Sequence, residues 1–346
     1  MLKKKLFATL LAGTMIAGMM AGCGSSDGSA PGTPDTAGSS SADAAASDGA
    51  YDISVIVKLT DGHFTRIMAG VQAYADEHDN VNVEIVSPSS ATAYEEQLNM
   101  IETSLSNPQF DAVIISPLQS DTTSTLTANT DKKILALDTD FTSDTKSAFI
   151  GTGNRDAAMK GGQAAVEEAK KRGAANLTAV ILTGAQGDET HDARLEGYRE
   201  GIESAGGTVV EVQYCDAVAD RAAAAMESVI SKYASEGIAI VCSTNDDMVM
   251  AAAKVIQDSN SPVFSNTVLC GFDGNQPAVE AVRDGMIAMD VVQLGYDMGY
   301  KAMEAAVKVL DGEAVDSFID SGAEIVTADT VESYISSMKD RGVWDD

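Results

Sequence analysis

The chain is 346 residues long and carries 52 Asp and Glu against 23 Lys and Arg, a formal net charge of −29. That balance excludes a nucleic-acid-binding surface, which needs a basic footprint for phosphates. It equally excludes an amphipathic membrane-surface helix rich in Lys and Arg, and leaves the acidity as a source of solubility for an exposed surface.

The chain opens with Lys3, Lys4 and Lys5, an apolar run from Leu6 to Met20, and then Met20-Ala-Gly-Cys23. A basic start, a short apolar stretch and small residues before the cut are the parts of a secretory signal, expected over residues 1–22. The apolar run is too short and too rich in Gly and Ala to span a membrane. The small-small-Cys ending resembles a bacterial lipobox. The resemblance implies diacylglycerol on the Cys23 thiol and extracytoplasmic attachment to the cell membrane through lipid alone. Residues 24–50 contain only Gly, Ser, Asp, Ala, Pro and Thr. With nothing apolar to bury, residues 23–50 are expected to remain a disordered tether with an r.m.s. reach of about 25–30 Å.

The body from Tyr51 onward is long enough for two lobes with separate cores. It alternates short β-branched runs with helical patterns, which predicts a parallel α/β fold. Strands are expected at 53–57, 81–86, 112–116, 134–137, 178–182, 209–212, 238–241, 268–270 and 287–292, with a short run at 148–150. Helices are expected at 65–77, 94–104, 156–171, 189–204, 220–233, 248–257 and 296–310. In the first of these, Ile67, Val71, Tyr74 and Ala75 recur at helical spacing. Near-continuous apolar strands imply sheets covered on both faces. The strands are too many for one ordinary open sheet, so two doubly wound sheets are expected, dividing near Gly151-Thr-Gly-Asn154.

Cys215, Cys242 and Cys270 form no CxxC, and the last two sit in apolar runs, so buried thiols are expected rather than a disulfide or metal site. With three His in the chain, a zinc site is not expected. Residues 311–316 lack the rhythm of a calcium loop.

Polar residues follow the strands: Lys58 after Val-Ile-Val, Asp138 after Leu-Ala-Leu, Asn245 after Val-Cys-Ser-Thr, Asp273 after Cys-Gly-Phe and Gln293 after Val-Val. In open α/β sheets the ligand crevice lies outside the carboxyl ends of the strands, so these five should converge there. For Asp and Asn the competing role is a helix cap or turn former; Lys58 and Gln293 are not cap formers.

Val-Ile-Val-Lys58-Leu-Thr-Asp-Gly-His-Phe64, Leu-Asp138-Thr-Asp-Phe141, Asp192-Ala-Arg194, Asn245-Asp-Asp-Met248, Gly-Phe-Asp273-Gly and Val-Val-Gln293 come in an order that resembles the sugar-binding proteins of ABC transporters. The match is to the ribose, allose and galactose type of periplasmic binding protein and covers residues 51–330. The resemblance implies two Rossmann-like lobes with parallel sheets, hinged by three crossings, the type I periplasmic binding protein architecture. The first lobe would be 51–153 plus about 294–324, the second 154–293 plus about 325–346. Lys58, Asp61, His63, Phe64 and Asp138 would reach the sugar from the first lobe, Arg194, Asn245 and Asp273 from the second, and Gln293 from a crossing. Carboxylates accept from vicinal hydroxyls, Arg, Lys and Asn donate to sugar oxygens, and an aromatic ring covers the C–H face. The chain departs from the family where Asn-Pro-Phe-Phe becomes Asp61-Gly-His63-Phe64 and where Thr139 replaces the Arg of ribose-like members. His63 could instead be a loop residue turned to solvent. No cofactor or metal is implied.

The implied function is capture of a monosaccharide or polyol by a monomeric lipoprotein that delivers it to an ABC permease, without catalysis. Two alternatives remain open: a receptor subunit reporting ligand to a kinase or chemoreceptor, and a surface glycoside-acting enzyme using paired acids such as Asp138 and Asp273. Truncating Asp273 or Arg194 is expected to weaken binding and to leave the fold intact, since a crevice residue carries little core packing.

Overall fold

The computed structural model describes residues 50–60 and 62–344. The expected leader, Cys23, the expected tether up to residue 49, and Asp61 lie outside the described residues. The first half alternates β1 (Tyr51–Ile56), α1 (Gly62–Glu77), β2 (Val81–Val86), α2 (Tyr94–Ser106), β3 (Ala112–Ile115), α3 (Ser120–Thr127), β4 (Lys133–Leu137) and β5 (Lys146–Gly151). The alternation continues with α4 (Asn154–Lys171), β6 (Thr178–Thr183), α5 (Glu189–Ser204), β7 (Thr208–Tyr214), α6 (Ala219–Lys232), β8 (Ile240–Ser243), α7 (Asp246–Ser259), β9 (Val268–Asp273), α8 (Gln276–Arg283) and β10 (Met289–Gln293). The chain ends in α9 (Gly295–Leu310), β11 (Phe318–Asp320), β12 (Ala323–Thr327) and α10 (Val331–Asp340).

The strands form two six-stranded sheets, in the orders β2-β1-β3-β4-β5-β11 and β7-β6-β8-β9-β10-β12. Both repeat one doubly wound order, in which the strand sequence reverses direction beside β1 and β6. Such reversals open a crevice at the carboxyl edge. The expectation of wholly parallel sheets is corrected at one place: β12 runs antiparallel to β10. The reason lies in the connectivity. β10 runs toward the crossing between the sheets, whereas β12 leaves that crossing, so the two must run opposite ways.

Side-chain alternation divides each sheet's burial between two faces. In β3, Ala112 and Ile114 face the cluster containing α1 and α9, while Val113 and Ile115 face the one containing Ile101 of α2. In β9, Val268, Cys270 and Phe272 face α4 and α5, while Leu269 faces the cluster of α6, α7, α8 and α10. Cys215, Cys242 and Cys270 are buried free thiols. Helix α1 lies against α9 with backbones almost touching. A Cβ on Gly70 would sit 1.9 Å from the Tyr296 carbonyl oxygen, and one on Gly299 2.0 Å from that of Ile67. Only glycine permits that approach.

The chain passes between the sheets at Gly151–Asn154, Gln293–Gly295 and Asp320–Ala323. Hydrogen bonds tie these passages together: Ser321 N–H donates to the Gly151 carbonyl at 2.7 Å and Gly153 N–H to Asp320 Oδ1 at 3.0 Å. Leu294 N–H reaches the Gly322 carbonyl at 3.4 Å.

Candidate ligand-binding site

A cavity of about 800 Å³ opens beyond the carboxyl ends of the strands, lined by Lys58, Asp138, Thr139, Phe141, Phe149, Asn154, His191, Arg194 and Gln293 together with loop residues. Four of the nine residues singled out from sequence, Lys58, Asp138, Arg194 and Gln293, therefore stand on its wall, drawn from both sheets.

On the first sheet, Asp138 follows β4 with a left-handed backbone, φ 63°. Such strain in a non-glycine residue persists where the surroundings over-determine it, and here they do. His63 Nε2–H donates to Asp138 Oδ1 at 2.8 Å, Lys58 Nζ lies 3.7 Å from Oδ2, and the Thr139 hydroxyl donates to Oδ2 at 3.0 Å. Lys58 also donates to the Thr139 hydroxyl. Burial pushes the Asp138 carboxyl up, but the His63 hydrogen bond, the Lys58 and His63 charges and the Thr139 hydroxyl outweigh it and hold the group well below the usual carboxylate range. Thr139 thus links Lys58 to Asp138.

His63 does not turn to solvent. It is 8% exposed, backs Asp138, and its buried Nδ1 has no partner among the described residues. The expectation for Phe64 is corrected. Helix α1 begins at Gly62 rather than near residue 65, so position 64 falls on the helix face that also carries Ile67, Val71 and Tyr74. Its ring is buried in that core cluster instead of lining the cavity. The aromatic lining comes from Phe141 and Phe149.

On the second sheet, Asp273 ends β9 with φ 133°. Its Oδ1 accepts from Arg194 Nη1 at 2.8 Å and from Gln293 Nε2 at 2.9 Å. Arg194 also donates through Nε to Asn154 Oδ1 at 2.8 Å and through Nη1 to the Thr244 carbonyl at 2.9 Å, and its guanidinium lies over the Phe272 ring, 3.8 Å from the centroid. At 6% exposure Arg194 belongs to the packing as much as to the cavity. That burial favours a loss of stability on truncation, against the expectation that the fold is spared. Asn245 takes the cap role instead of lining the cavity: its Oδ1 accepts from Met248 N–H at 3.0 Å and its amide donates to the Ala217 carbonyl at 3.2 Å.

Behind Asp273 lie two buried carboxyls, Asp246 and Asp290, at 2% and 0% exposure. Asp246 Oδ2 accepts from Asn275 N–H at 2.7 Å, and the two carboxyls interact with each other beside the Gly274 backbone. A Cβ at Gly271 would lie 2.7 Å from Asp246 Oδ1 and 3.1 Å from Asp290 Oδ1, so these oxygens share one small space. Burial raises Asp246 well above the usual carboxylate range and Asp290 to about 7. A proton held within the pair relieves the charge that burial forbids. Arg66, 3% exposed on α1, reaches across to the Asp273 carbonyl at 3.5 Å. Sequence reasoning missed Arg66, Asn154, His191 and the carboxyl pair. Asn154 lay in the turn already marked as the division between sheets, and only its partner Arg194 reveals its role.

Residues 53–314 match the periplasmic binding protein domain. The ribose import binding protein RbsB of Salmonella typhimurium (strain LT2) is 25% identical over 266 residues, covering 76% of this chain and 86% of that protein. Among solved structures, the periplasmic ribose ABC transporter protein of Conexibacter woesei superposes with a TM-score of 0.72 at 21% identity, covering 85% of this chain and 97% of its own. AraP, an arabinose-binding protein of Geobacillus stearothermophilus, has a TM-score of 0.72 at 19% identity, with 83% and 99% covered. With the family match running through most of both sheets and the two-lobed fold shared, this chain belongs to the periplasmic binding protein family.

Proposed function

We propose that this protein captures a neutral monosaccharide or polyol between its two lobes and hands it to an ABC permease outside the cytoplasm. The observation that carries the reading is the pair of polar clusters at the cavity, Lys58–Asp138 from the first sheet and Arg194–Gln293 from the second, the latter two held from behind by Asp273. Vicinal hydroxyls both donate and accept, so they suit a wall on which ionised donors and acceptors alternate. The charges are already matched within each cluster, and Asp121, Asp188 and Glu189 add negative charge to the lining. A sugar acid would therefore be repelled, which favours an uncharged ligand. The RbsB relative, named for ribose import, supports the same class.

A glycoside-cleaving role is disfavoured by the state of Asp138. A general acid needs a raised pKa, whereas His63 and Lys58 hold this carboxyl ionised. In this reading the lobes are 51–153 with about 294–324 and 154–293 with about 325–346, the protein acts as a monomer, and Cys23 carries the lipid.

A thermal-shift screen of the purified chain against D-ribose, D-allose, L-arabinose, D-galactose and myo-inositol tests the proposal. A ligand at a thousandfold excess over Kd adds about 4 kcal/mol to stability, a clear rise in melting temperature. No rise with any of these compounds overturns the reading.

A further inference from the structure

The second-lobe wall contains an imidazole whose seat is built by its neighbours. Asp188 caps α5, accepting from the backbone N–H groups of Thr190 and His191, and His191 lines the cavity beside Arg194. Gly184 makes room for the ring: a Cβ there would lie 2.4 Å from the His191 ring carbons. His191 Nδ1 is 2.7 Å from Thr244 Oγ1, and the Thr244 hydroxyl donates onward to Thr183 Oγ1 at 3.4 Å. A hydroxyl has one proton. The Thr183 contact offers the Thr244 proton a place to go and leaves Thr244 free to accept from the imidazole; the tautomer that fits has its hydrogen on Nδ1 and its lone pair on Nε2.

Nε2 makes no hydrogen bond to the described residues. The charged groups around the ring are Arg194, Asp188, Asp192 and Glu189 on α5 and its entry loop, and Asp273 at the end of β9. Burial and the Arg194 charge lower the imidazole's proton affinity, and the three aspartates oppose them only in part. The ring is therefore neutral at pH 7, an uncharged nitrogen acceptor on a wall that also carries the carboxylates of Asp138, Asp188 and Glu189.

We propose that His191 is a ligand-contacting residue of this site, its Nε2 accepting a hydrogen bond from one hydroxyl of the bound sugar or polyol. This rests on the sugar reading of the cavity. It gives the site a requirement for a donor at one ligand position. It also couples affinity to pH, because a proton on Nε2 removes the acceptor and places a second positive charge beside Arg194.

The test uses the full chain and the best binder among D-ribose, D-allose, L-arabinose, D-galactose and myo-inositol, measured by calorimetry at pH 7.5 and 5.5. In the wild type, affinity should fall at the lower pH. His191→Ala should bind about three- to tenfold more weakly at pH 7.5 and should lose most of the pH dependence. His63→Ala should retain the His191-dependent part. Equal affinity in wild type and His191→Ala at both pH values overturns this proposal and leaves the sugar reading standing. Failure of all five compounds to bind the wild type overturns the sugar reading and this contact with it. Should His191→Ala fail to fold, nitrogen NMR of the wild-type histidines decides. The proposal requires an Nδ1–H tautomer and an Nε2 resonance that moves on adding the sugar. An Nε2–H tautomer, or a stationary Nε2, overturns it.

Discussion

Arg194 and Asp273 form a 2.8 Å ion pair in which the arginine is more deeply buried than the carboxylate, with side-chain exposures of 7% and 19%. The asymmetry decides what each substitution does. Removing Asp273 strands a buried cation, whereas removing an uncharged neighbour does not.

Asp273→Ala should therefore lower both affinity and melting temperature, since breaking a buried pair from one side costs up to about 3–5 kcal/mol. Gln293→Ala removes a donor to the same Oδ1 but strands no charge. It should weaken sugar binding with a much smaller change in melting temperature. Calorimetry and melting curves on both variants check the contrast, and equal stability losses would contradict it.

The buried carboxyl pair predicts a pH dependence away from the cavity. Burial raises Asp290 to about 7, while the unfolded chain releases that proton near pH 4. Between those values the folded state binds more protons than the unfolded one, so this group's contribution to stability falls as pH rises from about 4 to 7. Asp290→Asn should flatten that part of the curve and raise the melting temperature at pH 7.5 relative to wild type. Melting scans of both proteins from pH 4.5 to 8 measure the difference.

The Asp138 carboxyl behaves oppositely. Its folded pKa is depressed despite burial, so its stabilisation is present above about pH 4 and is lost as pH falls further. His63→Ala removes the 2.8 Å hydrogen bond and should shift acid unfolding to higher pH, as followed by circular dichroism between pH 5 and 2.

If the three passages between the sheets form a hinge, sugar should draw the lobes together. Small-angle scattering should report a smaller radius of gyration at saturating sugar than without it, and an unchanged radius would speak against hinged closure.

Lipidation is tested separately. Cys23→Ser should move the protein from the membrane fraction into the medium or leave it unprocessed. A wild type that already partitions wholly into the aqueous phase of a detergent separation would exclude the anchor.

The doubly wound fold was legible in the sequence because its strands are short apolar runs and its helices carry an apolar stripe; α5 occupies the expected residues, 189–204. Elements without that signal were not legible. Helix α3 has the sequence SDTTSTLT, and its buried side chains are the hydroxyl-bearing Thr123 and Thr127. Strand β11 has only three residues, which is below any useful period. Lys58, Asp138, Arg194 and Gln293 could be placed at the cavity from strand ends and motif order. Phe64 could not, because its fate turned on whether α1 starts at 62 or 65: on the helix its ring falls on the apolar face, whereas in a loop before the helix it is free to face the cleft. The partnerships among Arg194, Asn154, Thr244 and Asp273 join residues 40, 50 and 79 positions apart. Local sequence encodes which residues are apolar and where helices start and stop. Which buried charge meets which counter-charge, and which imidazole nitrogen holds its proton, depends on distances of a few ångströms between segments remote in the chain. Only the packing of the two sheets sets those distances.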